Sequence, residues 1–145
     1  MPVKFLRRSD GSTGTIPEDL VISVPAVAAS VDTDIWVSNG NYKLVAIRTT
    51  HSVVGGASAA ARPRKVTDTS APGAAASATV LELAAAIDFT ASVNVVRSPA
   101  LTALASTTRF KSGDRLALDF SGTLTGLVGH ITFYLKRTEF LGADN

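Results

Sequence analysis

Polar and apolar residues alternate with a period of two along much of the chain, and the signal is clearest in its last third. Leu116, Leu118 and Phe120 fall on one face of an extended segment, and Arg115, Ala117 and Asp119 fall on the other. Ile131, Phe133 and Leu135 repeat the alternation within Gly129 to Arg137, after a Gly/Thr-rich link. These are two half-buried strands, Arg115 to Ser121 and Gly129 to Arg137, and Ser112-Gly113-Asp114 is the turn that feeds the first. Nearer the start, Leu20, Ile22 and Val24 alternate with Val21 and Ser23, which predicts a strand ended by Pro25, a residue unable to donate to a ladder.

The middle of the chain reads less regularly. Asp34 to Ser38, around Trp36, is a short strand, and Asn39-Gly40-Asn41 a tight turn of the hairpin kind. Tyr42 to Ser52 follows as the longest strand, apolar on both faces through Leu44, Val45, Ala46 and Ile47, as expected of a central strand or a subunit contact. After Gly55-Gly56 comes Ala57 to Val66, where Pro63 restricts any strand to an edge or a bulge. Thr67 to Ala76 is a loop around Pro72-Gly73. Val80, Leu83, Ala84 and Ile87 share helical spacing, so a helical turn over Ala78 to Ala86 competes with a strand and is the favoured reading. Val93 to Leu104 reads as a strand interrupted at Ser98-Pro99. Short strands with frequent turn signals point to an all-β, single-domain β-sandwich of jelly-roll type. The expected boundaries are an N-terminal arm at 1–19, rich in turn residues, a sandwich domain at 20–140 and a polar C-terminal tail at 141–145.

Length and composition sharpen this picture. A chain of 145 residues supports one core, burying roughly 70% of its unfolded surface. Its mean hydropathy of +0.24 and charged fraction of 18% are apolar for a soluble protein, and much of the excess is Ala and Val, which suits a subunit interface. The formal charge of +2 gives no basic stripe with stacking aromatics, so no nucleic-acid footprint is expected. Local knots of charge at Lys4, Arg7, Arg8 and at Arg62, Arg64, Lys65 are solvated surface or a meeting point for an acidic partner. The chain has no cysteine, which excludes disulfides and thiolate chemistry. It has no apolar run long enough for a membrane span and no secretory h-region, so neither membrane insertion nor export is expected.

Candidate chemistry is sparse. His51 and His130 lack companions at ligand spacing, so no metal or other cofactor is expected. Asp88 in A-I-D-F and Asp114 in S-G-D-R are a conceivable acid–base dyad, but an Asp after Gly at a strand entry commonly bonds neighbouring amides as a turn residue, and the structural reading is favoured. Gly122, Gly126 and Gly129 miss both phosphate-loop spacings and read as turn or bulge glycines. Trp36, Tyr42 and Tyr134 are the candidates for sugar stacking, with core packing favoured for Trp36. No catalytic residue is assigned, and the expectation is a non-enzymatic protein.

The segment Lys111 to Gly129 running into I-T-F-Y-L-K-R, with A-P-G-A at Ala71 to Ala74 and A-I-D-F-T-A-S-V-N-V-V at Ala86 to Val96, resembles the head decoration, or cement, proteins of tailed phages. The resemblance extends from Val21 to Arg137 and rests on composition, order and turn placement. It implies a homotrimer of β-sandwich or jelly-roll subunits on the outer surface of the virion capsid, between capsomers, with the major capsid protein as partner and assembly in the host cytoplasm. Within that expectation, the basic-apolar start at Lys4, Phe5, Leu6, Arg7 and Arg8 is the candidate capsid contact. The rival expectation is a receptor- or glycan-binding module of a head spike or fibre.

Overall fold

The alternating segments pair as strands, and they do so in two separate sheets. The computed structural model describes residues 19–138 in full and, ahead of them, the backbone of two short strands, β1 (Phe5–Arg7) and β2 (Thr13–Thr15), which pair antiparallel. The remaining elements follow in order: β3 (Asp19–Val27), β4 (Thr33–Val37), β5 (Tyr42–Val53), β6 (Ala60–Val66), β7 (Val80–Glu82), β8 (Ile87–Asp88), the single turn of helix α1 (Ala105–Thr108), β9 (Arg109–Phe110), β10 (Arg115–Ser121) and β11 (Val128–Arg137). One sheet has the order β4-β10-β6-β7, with β8 also pairing β6, and the other has the order β3-β11-β5-β9. The fold is a β-sandwich, with the chain nearly all β. Asp19, expected in the arm, already belongs to β3, and the tail at 141–145 lies outside the described residues.

The two sheets share one core. Leu116 and Leu118 of β10 and Ala61 of β6 meet Leu44 and Ile47 of β5 and Ile131, Phe133 and Leu135 of β11, with Phe89, Phe110 and Leu127 filling the ends. Interdigitating inner faces of two sheets is the arrangement that buries alternate residues of every strand. Each of these side chains is almost fully enclosed.

The structure corrects several expectations. Pro25 does not end the first strand: β3 continues to Val27, because it pairs only with β11 and an edge strand tolerates a residue without an N–H. Pro63, by contrast, stands within a central strand. Its carbonyl accepts from the Leu83 N–H, and in an extended strand the N and O of one residue point to the same side. The missing N–H therefore faces the gap between β7 and β8, and the β6–β10 ladder is unaffected.

Residues 78–86 contain no helix. Val80 is buried in a small outer cluster with Val66 and Ala117, whereas Leu83, Ala84 and Ile87 join the main core. The helical spacing thus arises from a strand and a turn that bury residues on opposite sides of one sheet, and pairing of β7 with β6 overrides the helical propensity of the alanines. Nor is Val93 to Leu104 a strand. Ser92 and Asn94 adopt φ of 60° and 59°, which breaks the extended run, and only isolated bridges remain, Arg97 to Thr49 and Leu101 to Ala84.

Strand β5 is apolar on both faces for a different reason from the expected double burial. Tyr134 pairs with Ala46 and Leu135 with Leu44, so Val45 is an extra residue opposite the β11 ladder. A bulge of this kind resets the alternation. Leu44 and Ile47 both point inward, and Val45 and Ala46 both fall outward, with Val45 48% exposed.

Candidate functional site

The outer faces of the two sheets differ sharply. On the β4-β10-β6-β7 side, the chain between β6 and β7 folds back and closes the face. Two arginines hold it there. Arg115 donates from Nη2 to the carbonyls of Asp68 and Ser70, both at 2.6 Å, and from Nη1 to Asp34 Oδ2 at 2.6 Å. Arg64 donates from Nε and Nη2 to Glu82 Oε1 at 3.1 and 2.9 Å, from Nη1 to the Pro72 and Ala74 carbonyls, and lies 3.0 Å from Asp119 Oδ2. Beside this loop, Asp32 accepts the Phe120 N–H at 2.7 Å, and Gly73 packs so closely on Asp32 Oδ2 that a Cβ there would have to displace the carboxylate. Burial, and then the neighbouring Asp32, hold the Asp119 carboxyl above its ordinary value against the pull of Arg64.

The expected charge knot of Arg62, Arg64 and Lys65 is therefore largely internal. Lys65 points into the sandwich, where Nζ donates to the carbonyls of Ser106 at 3.1 Å and Arg109 at 2.6 Å beside the Phe110 ring. Only Arg62 remains on the surface, with its side chain 52% exposed.

On the β3-β11-β5-β9 side, no described residue covers the sheet. Register arranges its outward side chains in rows across the strands. Val27, Val128 and Val53 form one row, and Val21, Tyr134 and Ala46 another, with Val45 beside it at the bulge. Between them run Pro25, His130 and Thr50, then Ser23, Thr132 and Arg48. Val21 is 55% exposed, Val53 and Val128 46% each and Tyr134 36%. A sheet face in water is ordinarily polar, and clustered exposed hydrophobes mark a contact surface. The loop along the β5 edge adds Val93, Val95 and Val96, all exposed, where the Asn94 N–H bonds the His51 carbonyl at 2.7 Å.

The residues singled out in the sequence fall elsewhere or have structural roles. Phe5, Leu6 and Arg7 form β1, while Lys4 and Arg8 lie outside the described residues. Asp88 accepts from the Thr90 amide and hydroxyl at 2.8 and 2.7 Å, and Asp114 accepts the Lys111 amide at 2.8 Å beside Lys65. They stand at opposite ends of β6 and form no dyad. Trp36 is half-buried and packs edge-on against Tyr42 and Phe110, with ring centroids at 5.0 and 5.6 Å. Gly122 and Gly126 take positive φ in the β10–β11 connection, and Gly129 lies at a second bulge, opposite His51.

His51 is enclosed in the core against Phe89, and its Nε2 has no hydrogen-bond partner. A hollow of about 230 Å³ lies between Thr49, Ile87 and Pro99, but Arg97 at its rim is engaged with the carbonyls of Asp88 and Ala91. Among the described residues no group of three or more His, Asp or Glu converges to hold a metal ion, and no helix is long and apolar enough to cross a membrane. What the arrangement offers is contact area. Sequence reasoning named Tyr134 for sugar stacking and placed Val45 in a strand that is central or at a subunit contact, but it missed Val21, which carries a signal: it is apolar at the phase of alternation that belongs to solvent. Comparison with protein-family models finds no match for this chain, and no curated protein matches it.

Proposed function

We propose that the chain is a virion structural protein that decorates and stabilises the outer surface of a tailed-phage capsid, binding the major capsid protein between capsomers as a homotrimer. The observation that carries this reading is the bare outer face of the β3-β11-β5-β9 sheet, with Val21, Val45, Val53, Val128 and Tyr134 exposed on it. The decoration-protein resemblance of the segment from Lys111 onward supplies the context. Burying apolar surface stabilises an interface by about 25 cal/mol per Å² before ordering costs, and many copies on a particle make individually weak contacts add up. The arm residues Lys4, Phe5, Leu6, Arg7 and Arg8 are assigned to the capsid, where basic and apolar side chains together pair with acidic groups and insert.

A second reading, a receptor- or glycan-binding spike module, is favoured by one observation, the exposed ring of Tyr134 on an open sheet face. Immunogold electron microscopy of phage particles from the source lysate, with antibody raised against this chain, separates the two. Gold over the head supports decoration, gold on tails or spikes supports receptor binding, and unlabelled particles refute both. Deleting residues 1–8 should abolish capsid binding and leave the oligomer folded; unchanged binding would remove the arm assignment.

A further inference from the structure

The outer sheet face carries one more row, and it is electrostatically unfavourable. Lys136 of β11 stands directly opposite Lys43 of β5, and Lys43 directly opposite Arg109 of β9. All three point outward, because Tyr42 and Leu44, Leu135, and Phe110, their chain neighbours, point into the core. Directly opposed side chains have Cβ atoms about 5 Å apart, and like charges in that position destabilise a sheet. Among the described residues none of the three forms an ion pair, although Asp19 lies opposite Lys136 on the other side. The row borders the apolar row of Val21, Tyr134 and Ala46.

We propose that the row Lys136, Lys43, Arg109 docks an acidic, extended segment of a partner protein, whose apolar side chains lie against Tyr134, Val45 and Val21. Rows run perpendicular to the strands, so a segment crossing them meets all three cations in succession. Charge complementarity identifies the occupant: among the described residues only the Asp19 carboxylate stands beside this row of three cations, and a carboxylate-rich segment relieves their remaining mutual repulsion. A nucleic acid fits less well. Tyr134 is the one aromatic ring of the adjoining row, Asp19 closes the end of the cationic row, and the chain's net charge is only +2. The proposal rests on reading the chain as a binding protein and names the chemistry of its partner.

The test is an NMR titration of the full chain with an acetylated hexaglutamate peptide, at low salt and again at about 0.5 M, where screening removes exposed charge contacts. Shifts centred on Lys43, Arg109, Lys136 and Tyr134, suppressed by salt, are expected. Lys43→Glu with Lys136→Glu should weaken binding about tenfold or more. Lys43→Gln should weaken it less and raise the thermal midpoint, since it relieves like-charge contacts that only a partner would otherwise neutralise. Shifts elsewhere, no binding, tighter binding of a short DNA duplex, or a lowered midpoint for Lys43→Gln would each overturn the proposal. The titration uses no capsid, so its failure with gold-labelled heads leaves decoration standing, and its success with unlabelled particles leaves the acidic-segment site standing.

Discussion

Replacing Arg64 with Leu tests whether the loop over the β4-β10-β6-β7 sheet is held by one buried guanidinium. The Arg64 side chain is 5% exposed and meets two carboxylates and two loop carbonyls. Leucine would leave Asp119, 17% exposed, and the Pro72 and Ala74 carbonyls without their donor, while Glu82, 34% exposed, turns to water. Removing one partner of a buried pair costs about 3–5 kcal/mol, and the exposure of Glu82 sets the expectation near 3. With a urea m-value of about 2 kcal/mol/M, the midpoint should fall by about 1.5 M. The loss should also depend on pH. The folded-state value of Asp119 is raised, so its protonated form is favoured by folding, and that contribution is full below 3.8 and lost as pH rises through the folded value. An ionised Asp119 without Arg64 is the costly state, so the Arg64→Leu deficit must shrink on acidification. Arg62→Leu, at 3.9 Å from Glu82 and half-exposed, is the control, expected within about 0.5 kcal/mol of the parent. A midpoint shift for Arg64→Leu below about 0.5 M, or one equal at neutral and acid pH, would refute the reasoning.

Three other outcomes are expected. His51→Leu should raise stability by about 1 kcal/mol in the same urea assay, because it removes the unpartnered Nε2 from the core at similar volume; a loss would mean that the ring's packing on Phe89 outweighs the orphaned nitrogen. Gly122→Ala should destabilise by more than about 1 kcal/mol by thermal melting, since φ is +73° and the new Cβ would stand 2.1 Å from the Ser58 carbonyl oxygen. Hydrogen bonds from Ser70 and Thr90 hold Asp68 and Asp88 below their ordinary value of 3.8, so both stabilise the fold above that pH and the effect is lost as pH falls below it. Asp68→Asn with Asp88→Asn should accordingly flatten the acid limb of a stability–pH curve, and an unchanged limb would contradict the assignment.

Legibility in the sequence followed the regularity of pairing. Strands β10 and β11 keep strict alternation over their core-facing residues, so Leu116, Leu118, Ile131, Phe133 and Leu135 were readable as one core. Strand β5 was readable as a strand but not as a half-exposed one, because the residue inserted at Val45 erases the local period. The stretch from Ala78 to Leu104 was misread in both directions: residues buried on opposite sides of one sheet mimic a helical period up to Ile87, and beyond it positive φ and isolated bridges replace the strand. Arg64 and Lys65 looked like surface charge because their partners, the carboxylates of Glu82 and Asp119 for one and the carbonyls of Ser106 and Arg109 for the other, are brought to them only by the fold, which composition does not reveal. Lys43, Arg109 and Lys136 meet only through cross-strand register, so the cationic row had no linear signature.

The position of β11 has a consequence for the order in which the molecule assembles as it is synthesised. β11 is last among the described strands, yet it lies between β3 and β5 and supplies the partner for nearly the full length of both. Until Val128–Arg137 has left the ribosome, β3 and β5 have no shared ladder, and Leu20, Ile22, Leu44 and Ile47 face an unfinished core. Half of the sandwich therefore waits for the last described strand to be made, slow in the manner of long-range β pairing and exposed to aggregation in the interval. A nascent chain stalled before Val128 would present two unpaired strand edges, a substrate for chaperones or for another copy of itself.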